Sequence, residues 1–263
     1  MSGSLVNEDY IARLAVMIRT KNGTNNTYTP AEMSQAILDL NTDGSSEVTA
    51  EVNTIVRGTI TSLNDSAENI NSVIDYAMSH ISTLTTVNLP VCRSIGGYAF
   101  YNCNNLTTLT IPSCTTISDH AFDSCVKLSN INDNSLVKVN GLGTYAFNGC
   151  TALTQYMTSA GGTVNTGAFY GCTNLAKAEF GTYTYFYNCF QGCTKLASLT
   201  LRSDTVCRCD DPTTYFADTK LLTTGTIYVP ENLLPMYKIA DGWRDIPAAR
   251  YAAIPLPPPD PDA

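Results

Sequence analysis

Apolar residues recur in one fixed pattern over residues 97–196. Each copy has a Phe that follows Ala (Cys in the last copy), a Cys three residues later and a Leu three residues after that. The five Phe residues are Phe100, Phe122, Phe147, Phe169 and Phe190, at steps of 22, 25, 22 and 21 residues. Steps of roughly 20–29 residues are typical of a solenoid whose coils stack. Short apolar–polar alternations such as Leu109-Thr110-Ile111 predict one strand per coil, so we predict a solenoid over 81–196.

The segment after the last copy is predicted to cap the solenoid. The last coil leaves an apolar edge uncovered, so a solenoid needs a terminal cap. Residues 197–254 contain a strand near 199–206, Phe216 at a repeat-like position and a predicted last strand at 226–230. A short helix then leads to Trp243, which we expect to pack on the final coil. The proline-rich residues 255–263 are predicted to be a tail.

The first 41 residues predict two short helices. Apolar residues fall at helical spacing in 7–20 and again in 30–40, and Pro30 is placed at the first position of the second helix. Such a hairpin is too small to be stable alone, so we expect residues 1–41 to anchor the protein to a partner or a neighbouring copy. Residues 42–46 are a predicted linker.

A longer helix is predicted over residues 47–80. Its apolar residues alternate in steps of three and four, as in the seam of a coiled coil. The proposed seam, which we expect to mediate oligomerisation, consists of Ile60, Leu63, Ala67, Ile70, Ile74, Ala77 and Ile81. One interpretation is a self-associating coiled coil, with a homotrimer favoured. The other is a helix that lies along the solenoid and caps its first coil.

Composition excludes several partners. Charged residues make up 14% of the chain and the net charge is −8, with no Lys/Arg cluster, which argues against nucleic acid and anionic membranes as partners. The first twenty residues lack a basic segment followed by a continuous apolar core, so we expect no secretory signal peptide. No stretch approaches the roughly 18 apolar residues of a membrane span, so we expect no membrane insertion.

The ten cysteines follow the repeat. Five occupy the same repeat position, and Cys92 and Cys114 share another. One cysteine per coil at a fixed place predicts a buried column of thiols. Disulfides between neighbouring coils remain an alternative, because paired strands lie only about 4.8 Å apart.

Catalytic, cofactor and metal sites are not predicted. The two histidines, His80 and His120, have structural interpretations, and Cys207-Arg208-Cys209 lacks the paired spacing of a metal site.

The candidate ligand-binding residues flank the buried Phe of each copy and are expected to face outward. They are Tyr98, Tyr101, His120, Asp123, Tyr145, Asn148, Tyr170 and Gln191. Tyrosine with Asn and Asp suits a carbohydrate or protein surface, although an ordinary solvated face has the same composition. Tyr183, Tyr185 and Tyr187 alternate along one predicted strand and are expected to extend this surface.

The repeat Ala-Phe-x-x-Cys-x-x-Leu, followed by a strand with Ile-Pro, resembles the BspA-like leucine-rich repeat family. The run LRSDTVCRC and the later TGTIYVPENLLPMYKIADGW resemble the terminal segment of that family, so the resemblance covers 81–254. It implies an α+β fold: a leucine-rich repeat solenoid, here preceded by the helical hairpin and the heptad-bearing helix. The family is known from bacterial surface adhesins and many phage proteins, and it brings no catalytic residues.

Residues 11–38 are similar to a helical module found at the start of phage structural and tail proteins. The matching positions are Ile11-Ala12, Ile18-Arg19, Lys21, Gly23, Pro30 and Met33. Together the two resemblances predict a non-enzymatic, multimeric virion appendage of a phage, a tail or head fibre. Residues 1–41 would bind other virion proteins, and the solenoid would bind a host-surface glycan or protein. The alternative is a bacterial cell-surface adhesion or protein-interaction protein.

Overall fold

The chain forms a stack of coils in which each coil contributes short strands to parallel sheets. The computed structural model describes residues 61–65, 70–131 and 138–254. The predicted helices of 1–41, the linker 42–46 and the tail 255–263 lie outside these residues.

Strands account for most of the regular structure. The described residues form β1 (Ser62–Asn64), β2 (Ser72–Val73), β3 (Thr86–Asn88), β4 (Ser94–Ile95), β5 (Thr108–Thr110), β6 (Thr116–Ile117), β7 (Asn130–Ile131), β8 (Gln155–Met157), β9 (Gly162–Val164), β10 (Lys177–Phe180), β11 (Tyr183–Phe186), β12 (Ser198–Leu201), β13 (Thr226–Val229) and β14 (Tyr251–Ala253). The two short α-helices are α1 (Pro212–Tyr215) and α2 (Leu234–Tyr237). Single 3-10 turns lie at Lys220–Leu222, Glu231–Leu233, Trp243–Asp245 and Ala248–Arg250.

The strands pair in parallel with the equivalent strands of neighbouring coils. One sheet has the order β1-β3-β5-β7, and a second has the order β14-β13-β12-β10-β8. On another side of the coils, β2-β4-β6 and β11-β9 form smaller sheets. Equivalent buried residues pair with each other, as Val87 does with Leu109, and the pairing of β9 with β11 has a register shift between Tyr183 and Tyr185.

The core is organised around a column of aromatic rings. The repeat Phe residues stack almost parallel, with centroids 5.2–5.7 Å apart from Phe100 to Phe190. Phe216 continues the column 5.7 Å beyond Phe190, and Trp243 closes it 5.9 Å beyond Phe216. The expected roles of Phe216 and Trp243 in the cap are thereby confirmed.

The repeat cysteines form a second buried column. The thiol of Cys125 donates to the carbonyl of Phe100 in the preceding coil at 3.1 Å, and Cys150 and Cys172 make the same contact one and two coils later. All ten cysteines are buried and free. The predicted thiol column is confirmed, and the disulfide alternative is wrong.

The predicted helix over 47–80 is wrong for its described part. Residues 61–65 and 70–80 form β1, β2 and a turn that belong to one further coil. In this coil Met78 takes the place of the repeat Phe, and Ile81 takes the place of the repeat Cys, each 22 residues before its counterpart. The solenoid therefore begins before the predicted boundary at 81.

The proposed oligomerisation seam is part of the same core. Leu63, Ile70, Ala77 and Ile81 are buried within one chain, and Ile74 packs against them. Ile60 and Ala67 lie outside the described residues. A seam must be exposed on a helix to join chains, so these side chains form neither a coiled coil nor a capping helix. Apolar residues at steps of three and four fit one face of a helix, and they also fit a solenoid coil whose repeat pattern is degenerate. The many Ser, Thr and Asn residues of this segment disfavour the helix.

The C-terminal cap, predicted over 197–254, contains one more strand than expected. β13 was predicted to be the last strand, but β14 pairs with it in parallel and becomes the edge of the sheet. The turn at Ala248–Arg250 brings the chain back for this pairing.

We predict that Phe147→Ala lowers the free energy of unfolding by about 3–5 kcal/mol. The ring stacks on Phe122 and Phe169 on its two sides, and it also contacts Tyr156. Urea unfolding measures the change, with Val126→Ala, an exposed position, as the control that should change stability by less than about 0.5 kcal/mol. A loss below about 1 kcal/mol in Phe147→Ala would contradict the aromatic column.

We also predict that the thiols of the folded protein resist alkylation at pH 8. Burial raises the pKa of Cys92 to about 11 and that of Cys103 to about 12, and the thiolate is the reactive form. Counting labelled thiols by mass spectrometry should give few in the native protein and ten after unfolding in guanidinium without a reductant. Fewer than ten in the unfolded protein would indicate disulfides.

Candidate functional site

Four rings on consecutive coils stack along one edge of the solenoid. They are Tyr76, Tyr98, His120 and Tyr145, which we call the ring ladder. Successive centroids are 4.9, 4.5 and 5.2 Å apart, with interplanar angles of 3°, 7° and 25°. The ladder therefore repeats once per coil, and its rings are held in one orientation.

The ladder residues share an unusual backbone conformation. Their φ angles are 61°, 55°, 55° and 54°, in the left-handed region, because the chain turns sharply before each buried Phe. An L-residue in this region costs roughly 1–2 kcal/mol, whereas glycine adopts it freely. The next coil has Gly167 there, and the ring of Tyr145 lies over it, so that a Cβ on Gly167 would be 2.2 Å from the ring.

A second row of side chains flanks the ladder. The ring of Tyr101 meets Tyr98 edge-on at 5.6 Å and His80 at 5.0 Å. Tyr170 is 43% exposed and meets Tyr145 edge-on at 6.5 Å. Each of these two tyrosines directly follows a repeat Phe, so the second row lies on the turn after that Phe.

Asp123 was expected to face outward, but it is buried. Its carboxylate accepts hydrogen bonds from His120 Nδ1 at 2.7 Å, from Ser124 Oγ at 2.8 Å and from Asn148 Nδ2 at 2.9 Å. The expectation was wrong because these three donors satisfy the carboxylate inside the turn. Asp123 therefore orients His120 within the ladder.

The structure brings seven of the eight candidate residues into one network. Gln191 lies two coils beyond Asn148, and its side chain makes no hydrogen bond to this network within the part of the chain that the structure describes. Tyr76 was missed by sequence reasoning because its segment was assigned to a helix. Aligning Tyr76-Ala77-Met78 with Tyr98-Ala99-Phe100 is the signal that could have found it.

The surroundings of Tyr98 shift the pKa of its phenol. Desolvation, followed by the neighbouring Tyr76, Asp123 and Asp119, raises that pKa. A phenol is already protonated at neutral pH, so the Tyr98 hydroxyl can donate a hydrogen bond there, and the shift extends this range to higher pH.

The expected extension at Tyr183, Tyr185 and Tyr187 is only partly realised. Tyr183 is buried and donates to the carbonyl of Val139 at 2.7 Å, so its predicted exposure was wrong. Tyr185 and Tyr187 have ring centroids 3.7 Å apart, and Tyr187 is exposed. The guanidinium of Arg208 lies 5.1 Å above the Tyr185 ring.

Asp210 holds this second patch together. Its carboxylate accepts from the Tyr185 hydroxyl and from Arg208 Nε. The Tyr185 hydrogen bond, followed by that of Arg208, lowers the pKa of Asp210. The patch is thus a compact set of polar contacts at the cap end of the solenoid.

A groove of about 620 Å³ runs beside the first two rings of the ladder, and we call it the ladder groove. Tyr76 and Tyr98 form one wall, and Gly97, Gly141 and Gly143 are also part of its lining. Its other polar lining includes Asp75, Asp119, Thr116, Ser118, Asn140 and Asn165. Sequence reasoning missed these residues because they come from several coils.

Two carboxylates in the groove are fixed by the backbone. Asp75 Oδ1 accepts from Gly97 N at 2.6 Å, and Asp119 Oδ1 accepts from Thr144 N at 2.6 Å. Among the described residues, none that lines the groove is Lys, Arg or His. The groove is therefore acidic, with hydroxyl and amide groups around its two carboxylates.

Residues 61–65, 70–131 and 138–254 contain neither a candidate metal site nor a candidate membrane span. No group of three or more His, Cys, Asp or Glu residues there could hold a metal ion. The helices of this part of the chain are too short and too polar to cross a membrane.

Comparison with known proteins identifies the family. The model for the BspA type leucine-rich repeat region matches residues 70–197 and 134–226, with six copies. Because these matches span more than half of the chain, the protein belongs to the BspA-type leucine-rich repeat family, as the sequence predicted. The match begins at residue 70, in agreement with the additional coil. It does not include residues 11–38, so the phage-module resemblance stays a prediction.

The chain is also similar to a solved structure. The chain is similar to a leucine-rich repeat protein from Bacteroides ovatus, with 22% identity and a TM-score of 0.45. The similarity covers 62% of this chain and 48% of that protein, so the chain matches about half of its length. No curated protein matches the chain.

We predict that Tyr98→Gly is at least as stable as Tyr98→Ala. Both variants lose the stacked ring, worth about 0.5–1.5 kcal/mol, but only glycine relieves the left-handed backbone at φ 55°. Urea unfolding of the two variants measures the difference, with glycine favoured by about 1 kcal/mol. If alanine proves more stable, the turn does not require this conformation in solution.

Proposed function

We propose that this protein is a non-enzymatic recognition protein that binds a cell surface through the ring ladder and its groove. The observation that carries the proposal is the ladder itself, four stacked rings on consecutive coils, each in the left-handed backbone region. Residues held in such conformations cluster at binding and functional sites.

The fold alone does not require rings at this position. Gly167 occupies the equivalent turn in a later coil, where it adopts a φ of 66° at no steric cost. Aromatic residues occupy the four ladder positions, and their stacking offsets the backbone cost. The result is an ordered array of rings at the surface of consecutive coils, which supports a role in recognition. Stacking also immobilises the rings in advance, so that a partner binds with less loss of side-chain entropy.

The same geometry favours binding over catalysis. The His120 ring lies between Tyr98 and Tyr145, and its Nδ1 is held by the buried Asp123. An imidazole in this arrangement is a rigid, stacked surface group. Membership of the leucine-rich repeat family also supports a role in adhesion or protein interaction.

The proposed setting is a bacterial cell surface, which the family match supports. The second candidate is a phage virion appendage that binds a host surface, and it is favoured by the resemblance of residues 11–38 to a phage module. The seam residues proposed for a trimeric coiled coil do not serve that purpose, because Leu63, Ile70, Ala77 and Ile81 are buried in the solenoid core. Attachment to a virion and self-association would then be tasks of residues 1–41.

We predict that the double variant Tyr98→Gly/Tyr145→Gly loses cell binding by at least about tenfold. The expectation follows from removing two large, preorganised contact groups, one inside the ladder and one at its end. Fluorescently labelled full-length protein is titrated against a panel of intact bacterial and mammalian cells by flow cytometry. Thr108→Ala/Thr110→Ala, on the strand β5, is the matched control.

Far-UV circular dichroism and urea midpoints verify that both variants are folded. The proposal requires that the control binds like the unmodified protein while the ladder variant does not. Equal binding by all three proteins would exclude the ladder as the recognition surface.

A further inference from the structure

We infer that the ladder groove takes an extended, neutral, hydroxyl-rich glycan and discriminates against acidic glycans. This inference rests on the proposed function, because it names the ligand class of the same face. It draws on three observations: the orientation of the rings, the polar lining of the groove and the position of its two carboxylates.

The rings present their edges to a ligand. Tyr98 is stacked between Tyr76 and His120, so both of its faces are covered. It offers a phenol hydroxyl and a ring edge, and the ladder repeats such a polar ring edge, with an imidazole at His120, every 4.5–5.2 Å. A ladder of polar edges suits a polymer that places one hydroxyl-bearing unit at each coil, and the sugar units of an extended glycan do this.

The lining of the groove favours a glycan over a peptide. Its apolar members Ile117 and Leu142 are buried, so they offer no pocket for the apolar side chains of a peptide. The backbone of β6 pairs with β4 on one side and bridges to Leu142 on the other. A peptide strand therefore finds no open sheet edge there, whereas the hydroxyl, amide and carboxylate side chains can bond to sugar hydroxyls.

Two fixed carboxylates flank a gap at Gly97. A Cβ on Gly97 would lie 3.5 Å from the carbonyl of Asp119 and 3.6 Å from Asp75 Oδ1, so the glycine keeps the space between them clear. Asp75 lies in the coil before that of Gly97, and Asp119 lies in the coil after it. Because paired strands of neighbouring coils are about 4.8 Å apart, the two carboxylates are roughly 10 Å from each other. Each uses Oδ1 to bond a backbone N–H, which orients the carboxylate so that Oδ2 can accept from a sugar hydroxyl.

The charge of the groove sets the selectivity. Among the described residues, the lining holds these two carboxylates without a Lys, Arg or His to offset them, and the whole chain carries a net charge of −8. A uronate or sialate in the groove would be repelled by both carboxylates, whereas a neutral sugar would not.

The inference is tested by calorimetric titration of the full-length protein with hexasaccharides. The neutral probes are β-1,4-linked hexamers of glucose, mannose and N-acetylglucosamine, and the acidic probe is hexagalacturonate. We expect at least one neutral probe to bind about tenfold or more tightly than the acidic probe.

Two variants locate the effect. Asp75→Asn/Asp119→Asn keeps the amide oxygen that accepts from the backbone but removes both charges, so the preference for the neutral probe should fall about tenfold. Asp204→Asn/Asp245→Asn removes two exposed charges outside the groove and is the matched control. Gly97→Leu fills the gap at a position where a Cβ meets only ordinary contacts, and it should abolish binding of the neutral probe.

The outcomes separate this inference from the proposed function. Equal or tighter binding of hexagalacturonate, or equal effects of the groove and control variants, would overturn the inference. It is also overturned if no hexasaccharide binds while cell binding still depends on Tyr98 and Tyr145, and the partner is then a protein. If cell binding does not depend on the ladder either, both the inference and the proposed function fail.

Discussion

The stacking of each coil on its neighbours is the interaction on which the whole structure depends. One coil has too little apolar surface to bury its own edges, so its Phe ring, its thiol and its strand all find their partners in neighbouring coils. The contact of Cys125 with the carbonyl of Phe100 and the stacking of Phe100 on Phe122 express this directly. Trp243 ends the column of rings and closes the last coil.

The ring ladder results from the same repeat. The turn before each buried Phe places one residue in the left-handed region, at the surface and in line with its counterparts. Rings at this position stack because the coils do. The stacking of the buried Phe rings therefore sets the spacing of the ladder rings, which form a rigid array of polar ring edges at the surface. Stacking contributes about as much stability per ring as the backbone conformation costs.

The groove shows how the solenoid produces an acidic recognition surface from ordinary turn residues. Asp75 and Asp119 each bond a backbone N–H of the following coil, which is a structural role. The same contacts hold the carboxylates in place beside the ladder. Gly97 leaves the space between the two carboxylates without a side chain, and Gly143 lets its coil approach the backbone of Ser118, which a Cβ there would meet at 2.4 Å.

The sequence by itself determined the solenoid, its family and the two buried columns, because Phe and Cys recur at a fixed spacing that few other folds require. It misassigned 61–80, where Met78 and Ile81 replace the repeat residues and a spacing of three and four suits a helix equally well. Only the tertiary structure decided that Asp123 is buried against His120, and that Asp75, Asp119 and Asn165 line one groove. These contacts join different turns or coils, so they depend on which residues face each other after stacking, and no local pattern records that.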